Sequence, residues 1–135
     1  MASKTTTLFI YGTLLDEDVS SRVVMETFRV IPASLRDYRA VYAEGHSYPG
    51  IIKEIGSVAS GGIIRGLSEK AISRLEYFEG ENYFLETTNV DVMGRPEDAF
   101  LFVPGSGIRL SSKTWELVEW RRRHKAAYLD RYFKR

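Results

Sequence analysis

Between Arg29 and Val103 one segment alone carries helical spacing, and nearly everything around it reads as strand broken by glycine and proline. That segment is Ser68 to Glu79, in which Ala71, Ile72, Leu75 and Phe78 recur at the steps of one helical face. Ser68 stands where an N-cap belongs, Glu69 suits the first turn, and Gly80 sits where a helix commonly stops. A chain with so few helices between its strands folds most simply as an α+β domain: a small, mainly antiparallel β-barrel, curled or closed, with flanking α-helices. At 135 residues, 44% hydrophobic and 27% charged, the chain suits a single domain over 1–135 with a core of its own.

The strand readings are Thr6 to Tyr11, Arg29 to Ala43 with Pro32 marking an edge or bend, Ile51 to Ile55 and Gly61 to Leu67 as a hairpin or close pair, Asn82 to Met93, and Ala99 to Val103. A turn is expected at Gly94 to Asp98. The acidic run Asp16 to Asp18 opens a short helix carried by Val19, Val23 and Val24. From about residue 112 a basic helical segment is expected, as one helix or two, with Trp115, Trp120, Tyr128 and Tyr132 packed over the sheet.

Two places in this outline point to chemistry. Glu79 is a last-turn residue, where the carbonyl end of the helix dipole disfavours an anion by ~0.3–1 kcal/mol. A carboxylate so placed has its pKa pushed upward, toward the range in which it can take and give a proton near neutrality. A solvated helix-end glutamate is the plainer reading of the same residue. The second place is Leu8 to Leu14, an apolar strand running into Gly12-Thr13 and then a helix start. Such a turn exposes backbone N–H groups of the kind that bind an anion or a developing oxyanion.

Tyr11-Gly12-Thr13-Leu14, Tyr48-Pro49-Gly50-Ile51, Leu75-x-x-Phe78-Glu79-Gly80 and Tyr83, in that order, resemble the γ-glutamylcyclotransferase-like group, which includes γ-glutamylamine cyclotransferases and the plant avirulence-induced-gene proteins. The resemblance runs from about Leu8 onward. It implies a small barrel with helices, an intramolecular cyclisation of a γ-glutamyl compound to 5-oxoproline, and no cofactor. By position, Glu79 would be the general acid/base, and Tyr11, Gly12, Thr13 and Leu14 would hold the glutamyl portion, with Tyr48 and Tyr83 shaping the substrate pocket. Phe84 and Leu85 follow Tyr83 where an Arg is often found in the group, and Phe100 and Phe102 stand where a Tyr is often found. These departures fall on the amine side of the site.

The absence of cysteine excludes a disulfide framework and a thiolate nucleophile, and with His46 and His124 as the histidines no metal site is expected. Met1 to Thr7 lacks the apolar core of a signal peptide, and no apolar run is long enough to span a membrane. A cytoplasmic protein, monomeric or homodimeric, with a small-molecule partner and neither nucleic acid nor membrane, is the expectation. Arg121 to Arg135 holds seven Lys or Arg against Asp130, a local +6 within a total of +1. That run reads as a solvated helix face; a nucleic-acid-binding module is the rival reading, without a recognition motif to support it. A binding protein that keeps the pocket without turnover is a second rival.

Overall fold

The structure is a computed structural model that describes residues 5–133. The expectation for the N-terminus at residues 1–4, and Lys134 and Arg135 of the basic run, lie outside the described residues. The elements in order are β1 (Thr5–Ile10), a 3-10 turn (Thr13–Leu15), α1 (Glu17–Val24), β2 (Ile31–Ala43), β3 (Pro49–Ser68), α2 (Glu69–Glu79), β4 (Tyr83–Val92), β5 (Arg95–Pro104), β6 (Leu110–Thr114), α3 (Leu117–Arg123) and α4 (Lys125–Tyr132).

The strands pair in the order β3-β1-β5-β4-β2-β6, and β2 pairs again with β3, so the first five close into a roughly barrel-like ring. Two seams are thin. β1 meets β5 in parallel at Leu8 and Phe100, and β4 meets β2 at Asp91 and Ser34. All other pairings are antiparallel, as expected of an α+β sheet. Leu8, Phe9, Ile63, Ile64 and Leu67 fill the interior, and Ala71 and Leu75 of α2 are also fully buried. Each of the Leu, Ile and Phe side chains contributes about 1.5–3 kcal/mol by leaving water.

The expected hairpin within Ile51 to Leu67 is instead one strand. Both halves of β3 run along β2, with Tyr42 opposite Pro49 and Ile31 opposite Ile63. Gly61 and Gly62 are not turn residues. A Cβ on Gly61 would collide with the Ile10 carbonyl and the Phe9 ring, and one on Gly62 with Val30, so glycine here lets strands cross closely. The bend lies earlier, where Glu54 to Ser57 bulge opposite Asp37. Asp37 has φ of 66°, Gly56 has φ of 93°, and the Asp37 carboxylate accepts the Gly56 N–H at 3.0 Å.

The expected turn at Gly94 to Asp98 is shorter than its composition suggests. Val92 pairs with Arg95 and Asp91 with Pro96, so Met93 and Gly94 alone make the turn. Their φ values of 54° and 86° are those of a type I′ hairpin, whose twist matches the strands. The expected helical start near 112 is also displaced. Residues 110–114 form the edge strand β6 against β2, and two short helices follow from Leu117. The polar sequence Ser-Ser-Lys-Thr carries no alternation, so its strand state is set by the exposed edge of β2 that it covers.

Candidate active site

Glu79 ends α2 as expected. The Ser68 hydroxyl caps the helix by accepting the Ala71 N–H at 3.1 Å, and Gly80 leaves it with φ of 85° and an extended ψ. Arg74 of the same helix donates to the Val24 carbonyl at 2.7 and 3.0 Å, tying α2 to the end of α1. The apolar face of α2 thus presses on the sheet, and the helix terminus is delivered to the rim of a cavity of ≈ 190 Å³.

That cavity is lined by Tyr11, Gly12, Thr13, Leu14, Tyr48, Pro49, Phe78, Glu79 and Tyr83, so the sequence-derived candidates converge on one space. Asn82, Phe102 and Ile108 also border it, together with Tyr128 and Tyr132 of α4. The last two were read in the sequence as packing residues. Their place at the cavity depends on where α4 docks, which no local pattern encodes.

Burial pushes the Glu79 carboxyl from 4.5 up to about 8, with no cation or donor offsetting it. The helix end adds less than burial does. The residue borders an open cavity and is half-buried by area, while its carboxyl is surrounded by protein. Its charge is felt by Tyr11, Tyr83 and Tyr128, whose phenols burial already holds above their ordinary range and whose ionisation Glu79 opposes further. These tyrosines are neutral donors. Tyr11 donates to the Phe102 carbonyl at 2.6 Å and Tyr83 to the Pro49 carbonyl at 2.8 Å, which fixes both rings. Thr13 Oγ1 and the Tyr128 hydroxyl are 3.4 Å apart.

A carboxyl with a raised folded pKa leaves a signature in stability. The folded protein holds the Glu79 proton that the unfolded chain releases near 4.5, so stability present below that pH is lost as pH rises through about 8. The loss is at most ~1.4 kcal/mol per pH unit. Glu79→Gln is expected to flatten this slope and to melt higher than the parent at pH 8.5. Parallel Tm-against-pH curves for the two proteins would show that Glu79 is solvated.

The turn at Gly12 to Leu15 is built by the Leu15 N–H on the Gly12 carbonyl, 2.9 Å, and the Asp16 N–H on the Thr13 carbonyl, 3.0 Å. The N–H groups of Thr13 and Leu14 open this turn and have no acceptor within it. Gly12 has φ of −130°, so its need for glycine is spatial: a Cβ would stand 2.6 Å from Pro49 Cγ and 3.1 Å from Cδ. Gly12→Ala must push Pro49, whose carbonyl holds Tyr83. It is expected to lower the unfolding free energy by about 1–3 kcal/mol, the usual cost of overpacking. A urea midpoint equal to the parent's would dismiss that contact.

Behind the turn lies a feature the sequence did not disclose. Asp16 is fully buried, caps α1 by accepting the Asp18 N–H at 3.0 Å, and bonds Arg121 at 2.8 Å and Lys125 at 3.1 Å. Burial alone would raise its pKa, but the hydrogen bonds from Arg121 and Lys125 outweigh that and hold it below the usual value. The pairing with these cations is why an enclosed carboxylate stays charged. Lys125 also reaches Asp18 at 2.6 Å. α3, through Arg121, and α4, which carries Tyr128 and Tyr132, are therefore both fastened to the residue next to the cavity turn.

The sequence profile of the family described as "Gamma-glutamyl cyclotransferase, AIG2-like" matches residues 8–122. Protein AIG2 C of Arabidopsis thaliana is 25% identical over 131 residues, 94% of this chain and 79% of that protein. A solution structure of an Arabidopsis thaliana protein superposes with a TM-score of 0.73 at 24% identity, covering 99% of this chain and 84% of that one. A structure named as a gamma-glutamyl cyclotransferase superposes with a TM-score of 0.68 at 13% identity, over 80% and 69%. At these identities the structures attest the fold, while the profile spans most of the chain: the protein belongs to the gamma-glutamyl cyclotransferase, AIG2-like family.

Proposed function

We propose that the protein is a cofactor-independent cyclotransferase that converts a γ-glutamyl amine or peptide to 5-oxoproline and a free amine, with Glu79 as the general acid/base. The observation that carries this reading is a carboxyl without a cation, raised toward neutrality, in the same cavity as the Gly12 to Leu14 turn. The substrate's α-amine attacks its own side-chain carbonyl, forming the ring C–N bond. Nucleophile and carbonyl already share one molecule, so the protein's part is to hold them in the ring-forming pose.

The proton then needs a carrier. Glu79, whose carboxyl burial raises to about 8, can take a proton from the attacking amine nitrogen and give one up near neutrality. Glu79 takes it as the amine attacks and returns it to the departing nitrogen when the tetrahedral intermediate collapses and the scissile C–N bond breaks. In this reading the Thr13 and Leu14 N–H groups serve the oxyanion. Tyr11, Tyr48 and Tyr83 bound the glutamyl portion as neutral walls.

In this reading the partner is a small γ-glutamyl molecule, and the protein acts in the cytoplasm as a monomer or homodimer without binding nucleic acid or membrane. No helix among the described residues is long and apolar enough to cross a membrane. Arg121, Arg123 and Lys125 of the basic run are engaged by Asp16, Glu119 and Asp18, which favours a structural role for it. The test is a screen of γ-glutamyl amines and dipeptides for 5-oxoproline release. Binding without release across the screen would favour a silent binder of the same fold.

A further inference from the structure

The family match ends at residue 122, yet the cavity does not. Tyr128 and Tyr132 of α4 close one side of it, with ring centroids 4.7 Å apart, and Tyr128 in turn meets Trp120 edge-on at 5.3 Å. Tyr128 is buried and Tyr132 is 45% exposed, so the pair runs from the interior to the mouth. We propose that α4 is the wall that selects the leaving group, and that it favours a neutral arylalkyl amine; this rests on the cyclotransferase reading above.

The selection follows from where charge stands. An α-amino-acid leaving group carries its carboxylate one carbon from the scissile nitrogen, hence deep in the cavity. The lining there offers Glu79 and neutral side chains and no Lys, Arg or His, so that second carboxylate is taken out of water without a counter-ion. A leaving group with a distal ammonium fares no better, because beside Tyr132 it meets the like charge of the Arg131 guanidinium, which lies over that ring at 5.6 Å. What remains favourable is a flat apolar body against Tyr128 and Tyr132, for which aromatic contact is worth about 3- to 10-fold in affinity beyond its burial.

Three probes decide the matter: γ-glutamylphenethylamine, γ-glutamylglycine and mono-γ-glutamylcadaverine. Dissociation constants are measured on the full chain carrying Glu79→Gln, and kcat/KM for 5-oxoproline release on the parent, each with and without Tyr132→Ala. Tyr128→Phe provides a second variant that keeps the ring and its packing. The expected result is that phenethylamine is preferred about tenfold over the other two, and that Tyr132→Ala brings that ratio toward one while Tyr128→Phe preserves it. Equal affinities, a preference for either charged probe, a ratio that Tyr132→Ala leaves intact, or no binding of any probe would each overturn the wall. The two readings fail separately: selective binding without release refutes the cyclotransferase and keeps the wall, and release without selectivity does the reverse.

Discussion

Glu79→Gln is expected to give a folded protein that still binds a γ-glutamyl compound and releases 5-oxoproline about 10²–10⁴-fold more slowly, the usual worth of general acid–base assistance. Gln keeps the size and reach of Glu and removes only its ability to cycle a proton. Folding is not at risk, because the carboxyl is held at about 8 by burial and makes no stabilising ion pair that Gln would forfeit. The variant therefore separates chemistry from packing. A rate within a few-fold of the parent's would remove Glu79 from the mechanism and leave the protein as a binder. Steady-state release, together with a binding isotherm on the same preparation, reads both halves of the prediction.

The largest stability loss is expected at Asp16. Asp16→Ala deletes the N-cap of α1, worth ~0.5–2 kcal/mol, and leaves Arg121 and Lys125 without the carboxylate they share. Breaking a fully buried pair costs about 3–5 kcal/mol, but these cations are 45% and 26% exposed and recover part of that from water. A total of about 2–4 kcal/mol is expected in urea unfolding. Asp16→Asn keeps an oxygen for the Asp18 N–H and should lose less: its own loss measures the ion pairs, and the further loss in Asp16→Ala measures the cap. The sign with pH is opposite to that at Glu79: because the folded pKa of Asp16 is depressed, its contribution is present above its unfolded pKa and lost as pH falls through the folded one. A destabilisation of Asp16→Ala no greater than that of Asp16→Asn would leave the cap without weight. Since Tyr128 rides on the helices that Asp16 fastens, substrate binding should weaken along with stability.

The local signals legible in the sequence were those whose physics is local. Ser68 caps α2, Ala71 and Leu75 face inward, Gly80 ends the helix, and Glu79 stands at its terminus, all because 3.6-residue spacing and cap chemistry act within a few residues. The strand-turn passage at Tyr11 to Asp16 was legible for the same reason. What the amino-acid order could not carry was partnership across the fold. Gly61 and Gly62 resemble turn residues until the closely crossing strands of β1 and β2 are seen against them. β6 has no pattern of its own and exists because β2 leaves an edge. Most of all, the basic run after Trp120 looks in isolation like a solvated face. Only the tertiary structure sets Arg121 and Lys125 on a buried Asp16 more than a hundred residues earlier, and thereby turns Tyr128 and Tyr132 from packing residues into lining of the cavity. The chain alone determined which carboxylate stands at a helix end; burial, which is a property of the assembled fold, decided that this carboxylate could hold a proton near neutrality.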